Sequence, residues 1–287
     1  MQGRFELKYV VDGETKQRFF DAIRTEMQPD PYGENAKYRV SSVYFDTPDY
    51  QAVYEKLDGE SNRKKYRLRY YGLEQNSATP GVSAAYMEIK HRIHNTVYKQ
   101  RAQLRQEGAL QILLNARELC QLGSYTVTPE HCLPICTDVQ RTAAYQNLHA
   151  AQTITYIREA LQGKHDTRLR VTADSRCQAY APSCFAMVET NEGTPILDEN
   201  LLVLEIKFDS AIPCWIRDIL QSQQLRLQRF SKYAAGVLSD QDIALQRQLL
   251  NQREQPAIAQ TTAPALPISV NQMPATNAVP MPGSPTV

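Results

Sequence analysis

One pattern limits what this chain can become. Along its predicted strands, ionic residues recur two apart with apolar residues between them. Glu6 and Lys8 alternate with Phe5, Leu7 and Tyr9; Arg67 and Arg69 alternate with Tyr66, Leu68 and Tyr70. Glu88 and Lys90 flank Ile89, and Lys99 and Arg101 follow. Arg168 and Arg170 alternate with Leu169 and Val171, and Glu205 and Lys207 with Leu204, Ile206 and Phe208. Side chains alternate faces along a strand, so each doublet lies on one face and its apolar neighbours on the other. Any one such strand could be an ordinary wet surface strand. Solvent-facing strands mix Thr, Ser and Gln with charge, however, and here the polar face is almost wholly ionic.

The strands in question are 3–11, 38–46, 63–72, 84–93, 96–103, 153–159, 167–174, 184–190 and 201–209. Helical spacing appears over 14–27, where Phe19, Phe20, Ile23 and Met27 recur, and over 108–122, 213–223 and 231–252. Helices need an apolar surface to pack on, and the apolar strand faces supply one. If helices cover that side of a closed or nearly closed antiparallel sheet, the ionic side becomes a lumen. The expected fold is therefore α+β, an antiparallel β-barrel with a charged interior and a few covering helices. The folded domain is expected to end near residue 250. Residues 251–287, rich in Pro, Ala, Thr and Gln, have too little to bury and are expected to be disordered.

The expected lumen holds nine basic residues (Lys8, Arg67, Arg69, Lys90, Lys99, Arg101, Arg168, Arg170, Lys207) against three acids, Glu6, Glu88 and Glu205. Like charges facing one another in a confined space call for a polyanion, and a multiphosphate fits. Acids left among the bases suit a hard divalent cation, Mg²⁺ or Mn²⁺, which takes carboxylate and phosphate oxygens together. With 32 Lys and Arg against 31 Asp and Glu, the chain carries no general basic field of the kind that holds nucleic acid. The run Arg63-Lys64-Lys65 reads as a solvated strand entrance. A Walker A loop is absent from the sequence, which argues against a P-loop kinase. His91 and His94 stand three apart, on opposite faces of a strand, and make no metal pair. The six cysteines form no C-x-x-C pair and read as buried fillers of a reduced, cytoplasmic protein; neither an apolar leader nor a spanning segment is expected. Of the 16 tyrosines, Tyr70, Tyr71 and Tyr233 could stack on a base, but packing is the simpler expectation.

The segments Arg4-Phe5-Glu6-Leu7-Lys8-Tyr9, Tyr66-Arg67-Leu68-Arg69-Tyr70-Tyr71-Gly72 and Met87-Glu88-Ile89-Lys90 resemble the triphosphate tunnel metalloenzymes. More narrowly, they resemble the polyphosphate polymerase domain of the vacuolar transporter chaperone (VTC) type in its bacterial form. Tyr44-Phe45-Asp46, Leu204-Glu205-Ile206-Lys207-Phe208 and Phe230-Ser231-Lys232-Tyr233 match in the same order. The resemblance implies transfer of the ATP γ-phosphate onto a polyphosphate chain. It implies Lys8, Arg67, Arg69, Lys90, Lys99, Arg158, Arg170 and Lys232 as phosphate-binding catalytic residues, with Lys207 beside Arg67, Arg69 and Lys90 in binding the nucleotide. Glu205 would hold the metal, supported by Glu6 and Glu88. By the same resemblance the substrates are ATP and polyphosphate or triphosphate, and a membrane-protein partner is implied from the eukaryotic relatives. Related triphosphatases carry E-x-E-x-K in the first strand; here the first Glu position is Arg4, which favours the polymerase branch. A triphosphatase, or a module that only binds polyphosphate or nucleotide, remains the alternative.

Overall fold

In the computed structural model, residues 3–31, 36–74, 81–186, 188 and 193–239 are described. The chain opens with β1 (Phe5–Asp12) and α1 (Gly13–Ile23), then β2 (Met27–Pro29), β3 (Lys37–Asp46) and α2 (Gln51–Leu57). A meander follows: β4 (Asn62–Glu74), β5 (Gly81–Ile93) and β6 (Thr96–Leu104). After it come α3 (Gln106–Leu114), a 3₁₀ segment (Ala116–Tyr125) and α4 (Pro129–Gln146). The second half holds β7 (His149–Gly163), β8 (Arg170–Tyr180), a short 3₁₀ turn (Pro182–Ala186), β9 (Thr194–Pro195), β10 (Leu201–Phe208), α5 (Cys214–Ser222) and α6 (Lys232–Ser239).

All strand pairs are antiparallel, in the order β1-β10-β8-β7-β3-β4-β5-β6, with β2 and β9 attached off this path. The two edge strands come together at one bridge, where Arg4 and Val97 exchange backbone hydrogen bonds at 3.0 and 2.8 Å. Among the described residues the edges meet at this bridge rather than along a full ladder. The sheet is thus a nearly closed wall, and ion pairs such as Lys90 of β5 to Glu6 of β1 cross its interior.

The apolar faces point outward, as the alternation requires. Tyr66, Leu68 and Tyr70 of β4, with Met87 and Ile89 of β5, are buried under α3, the 3₁₀ segment and α4. Leu204 and Ile206 of β10, with Val171 of β8, are buried against Phe19, Phe20 and Ile23 of α1 and Ile216 and Leu220 of α5. Asp12 starts α1 by accepting from the Thr15 backbone N–H at 2.7 Å, an ordinary N-cap. A third cluster lies on the inner face, where α6 and α2 pack Tyr233, Ala234, Val237 and Val53 against Val40, Ile154 and Val203. Inside the wall, one stretch is therefore filled by protein and much of the rest is ionic.

Several expectations are corrected. The described residues of the strand expected over 184–190 form no strand: Pro182–Ala186 is a 3₁₀ turn, with Phe185 buried as part of the outer core, and residues 187, 189 and 190 lie outside the described residues. The helix expected over 108–122 is split at Asn115, where the backbone is extended. Met27 belongs to β2 rather than to α1. The helix α4 was not expected, and the expected helix 231–252 is seen as Lys232–Ser239, its remainder lying outside the described residues. The disordered tail expected over 251–287 also lies outside them. Cys132, Cys136 and Cys177 are buried fillers, but Cys120 and Cys214 are exposed. Among the described residues no helix is long and apolar enough to cross a membrane.

Candidate active site

Strand register decides which ionic groups meet. Arg67 lies opposite Glu88, and Glu88 opposite Arg101. The Glu88 side chain is wholly buried, and four cations converge on it. Arg67 donates from Nε and Nη2 to Oε2 at 2.9 and 2.7 Å. Lys99 Nζ and Arg101 Nε reach Oε1 at 2.6 and 2.8 Å, and Arg69 Nη1 stands 3.9 Å from Oε2. Burial alone would push the Glu88 carboxyl up; Arg67, Arg69, Lys99 and Arg101 outweigh it and hold the group far below the usual carboxylate range. Arg67 also donates to the Tyr44 hydroxyl at 3.0 Å, and Arg69 to Ser42 and to the Tyr156 hydroxyl.

A second cluster centres on Glu205. Lys207 Nζ stands 2.7 Å from Oε2, and Lys232 Nζ and Lys8 Nζ stand 3.0 and 3.3 Å from Oε1. Lys232, carried in from α6, also reaches Asp174 Oδ2 at 2.6 Å. Arg158 makes a bidentate pair with Asp174 at 2.7 and 2.8 Å, leaving Nη2 3.8 Å from Glu205. Glu6 pairs with Lys90 at 2.6 Å, and the Glu205 carboxylate works against its ionisation. Burial opposes ionisation of both; Lys90 for Glu6, and Lys207, Lys232 and Lys8 for Glu205, keep the pair charged.

Most expected site residues thus share one interior; Arg168 does not, and Arg170 and Glu88, on the inner face by register, are engaged otherwise than expected. Arg168 lies outside β8, half-exposed at the rim, where it pairs with Asp209; the strand starts only at Arg170. Arg170 pairs with the buried Asp30. Glu88, expected to support Glu205 at one ion, is instead engaged by its own four cations. Among the described residues no three His, Cys, Asp or Glu side chains converge on a point. Glu205, with Glu6 or Asp174 near it, still fits a hard cation held by one or two carboxylates and completed by phosphate oxygens. Sequence reading missed Asp174, which stands two from Thr172 and so forms no ionic doublet. It also missed Lys65, which is half-buried, donates to Ser231 at 2.8 Å and, by alternation, shares the face of Arg67.

The lysines bear the cost of this interior. Burial pulls Lys207 down to about 7 against the attraction of Glu205, and pulls Lys65 and Lys99 well below their ordinary value. A bound polyanion favours the ammonium form, so it raises these values. Triphosphate binding at about pH 8 is therefore expected to take up protons, and the part due to Lys207 is expected to fade by about pH 6, where that group is already charged. Calorimetry in buffers of different ionisation enthalpy measures it, and Lys207→Met should remove part of it. Binding with no proton uptake across this range would show that the lysines are already charged.

The sequence matches the family profile described as VTC domain over residues 3–239. Comparison with curated proteins returns no match. Among solved structures, a candidate adenylate cyclase from Bacillus halodurans is similar at 13% identity, covering 80% of this chain and 94% of that one, with a TM-score of 0.44. A candidate adenylyl cyclase from Hippeastrum, described as having a dominant triphosphatase activity, is similar at 11% identity over 82% and 95%, with a TM-score of 0.45. The triphosphatase of the Mimivirus capping enzyme is similar at 9% identity over 77% and 86%, with a TM-score of 0.34. Likeness at that level decides nothing about the chemistry.

Proposed function

The chain belongs to the VTC domain family, and on that premise we propose that it is a phosphotransferase moving the γ-phosphate of ATP onto a polyphosphate chain. The observation that carries this reading is the excess of cations on one enclosed face. Arg67, Arg69, Lys99 and Arg101 share a single carboxylate, and Lys8, Lys207, Lys232 and Arg158 share two. A run of phosphates laid between the two clusters replaces water as their partner. Arg67, Arg69 and Arg158 present planar forks suited to paired phosphate oxygens, and the lysines act as point charges.

Phosphoryl transfer asks mainly for alignment and neutralisation of charge. The terminal oxygen of the acceptor chain bonds to the γ-phosphorus as the bond to the β–γ bridging oxygen breaks, and ADP leaves. No protein nucleophile is needed. The buried Cys177 thiol, close to Lys232 and Asp174, is pushed up to about 12 by burial and is no thiolate at neutral pH. Mn²⁺ or Mg²⁺, when bound, supplies further positive charge at the transferring phosphate. Glu205 would hold it, with Glu6 or Asp174 as the second carboxylate. Holding it there requires Lys232 to give up part of its contact with those acids.

Incubating the pure protein with ATP and Mn²⁺ tests the reading, with products resolved by gel and by phosphate release. Polymer that lengthens with time is the expected result. Free phosphate without polymer would replace the polymerase with a triphosphatase, and neither product would reduce the protein to a binding module. In the same assay, Arg67→Ala and Arg69→Ala are each expected to abolish polymer while keeping a cooperative melting transition.

A further inference from the structure

The inner face carries one feature that phosphate chemistry does not use. Tyr38 of β3, Tyr71 of β4 and Tyr86 of β5 stand in a row across three consecutive neighbouring strands. By register and alternation they share the ionic face: Tyr71 is two residues beyond Arg69, and Tyr86 is two before Glu88 and opposite Arg69. Ring centroids lie 6.2 Å apart for Tyr38–Tyr71 and again for Tyr71–Tyr86. The Arg101 guanidinium lies 4.3 Å from the centre of the Tyr86 ring and hydrogen-bonds the Tyr71 side chain.

Tyr38 and Tyr71 rest in part on the third cluster, yet three contrasts separate the row from a wholly buried core. The outward-facing Tyr70 is buried in the core beneath α3 and α4, whereas Tyr38, Tyr71 and Tyr86 are half-buried. Tyr44 and Tyr233 stack at 4.6 Å and 11°, so each closes a face of the other. The rings of the row do not stack: Tyr38 and Tyr71 are tilted at 58°, and Tyr71 and Tyr86 meet edge-on at 74°, a pair in which at least one ring keeps both faces clear of the other. Lastly, the row adjoins the Glu88 cations on the same strands. Two residues of strand, about 7 Å, separate Tyr71 from Arg69, and two more separate Arg69 from Arg67.

We propose that Tyr38, Tyr71 and Tyr86, with Arg101, form a stacking subsite for the base of a nucleoside triphosphate, whose phosphates then run inward along Arg69 and Arg67. The inference rests on the phosphotransferase reading and names the part of the donor that reading leaves unheld. Aromatic faces and guanidinium planes bind bases through their π surfaces without reading their edges. The subsite therefore takes purine nucleotides with little preference between adenine and guanine.

The test compares ATP, GTP and inorganic triphosphate by calorimetry on the full chain. The parent is expected to bind ATP and GTP within about threefold of one another. Tyr71→Leu and Tyr86→Leu are expected to weaken both nucleotides about tenfold while leaving inorganic triphosphate within about twofold. Tyr71→Phe and Tyr86→Phe, which keep the ring, are expected to restore nucleotide binding and serve as folding controls. Equal losses for nucleotide and triphosphate, or none for either, overturn the subsite while leaving the phosphate-binding interior standing. A parent that binds neither ligand overturns both.

Discussion

Glu88→Gln is expected to be among the most destabilised single variants of this protein, and to be rescued by inorganic triphosphate. The glutamine keeps the volume of the side chain but removes the negative charge that, among the described residues, Arg67, Arg69, Lys99 and Arg101 share. Breaking a buried ion pair by removing one partner costs about 3–5 kcal/mol, because an uncompensated charge is left behind. In a folded domain of this size that is a fall of about 10 °C in Tm. A ligand that binds only the folded state stabilises it by the logarithm of its concentration over its Kd, and this variant has lost a carboxylate that repels the ligand. Triphosphate should therefore raise the Tm of the variant by more than it raises that of the parent. The same carboxylate gives a pH signature. Its folded pKa lies below its unfolded value near 4.5, so its stabilisation is present above that pH and lost as the solution is acidified further. In Glu88→Gln the acid limb of the stability curve should flatten accordingly. A variant that melts with the parent, with or without triphosphate, would contradict the role of Glu88 as shared counter-charge.

The feature that made the interior readable is alternation, a property of single strands. Period-two doublets were enough to separate the face of Arg67, Arg69, Glu88 and Lys90 from that of Leu68, Tyr70, Met87 and Ile89. The structure puts helices on the second set. What alternation does not carry is register. That Glu88 lies between Arg67 and Arg101 depends on the register of consecutive strands of the meander, and that Glu205 lies between Lys8 and Thr172 depends on pairings between strands distant in sequence. Without those pairings, Glu6, Glu88 and Glu205 looked like one set of acids, and the structure divides them. Asp174 escaped notice for a related reason: it is a lone charge in Val-Thr-Ala-Asp-Ser, and only the ladder to Arg158 gives it a partner. Lys65 was hidden inside a run of three bases, although its spacing from Arg67 already placed it on the inner face. The missed helix α4 did carry a signal, since Cys132, Ile135, Cys136, Val139 and Ala143 keep helical spacing and are buried. Pro134, near its start, masked it. At residues 182–186 the reverse occurred: part of a short apolar run that reads as a strand is a tight turn with Phe185 buried in the core.

Glu205→Gln separates the two acidic centres, which charge alone makes look equivalent. Its carboxylate touches Lys207, Lys232 and Lys8, yet Asp174 remains to hold Lys232 and Arg158 at 2.6–2.8 Å. Loss of stability should therefore be smaller than in Glu88→Gln, whose cations have no second acid among the described residues. Triphosphate in the absence of metal should bind at least as tightly as to the parent, because one repelling charge has gone. Turnover should fall by a hundredfold or more, since the charge that a divalent cation brings to a transferring phosphate is worth several kcal/mol. The decisive readout is the Mn²⁺ dependence of triphosphate binding. In the parent, Mn²⁺ is expected to tighten it; in Glu205→Gln that increment should vanish, while in Glu88→Gln it should survive. This pairing of outcomes cannot arise if both acids are merely counter-charges, because each substitution would then change stability and metal response in proportion. Full Mn²⁺-dependent turnover in Glu205→Gln would remove the residue from metal binding and shift that role to Asp174 or Glu6. Loss of the Mn²⁺ increment in Glu88→Gln alone would invert the assignment of the two centres.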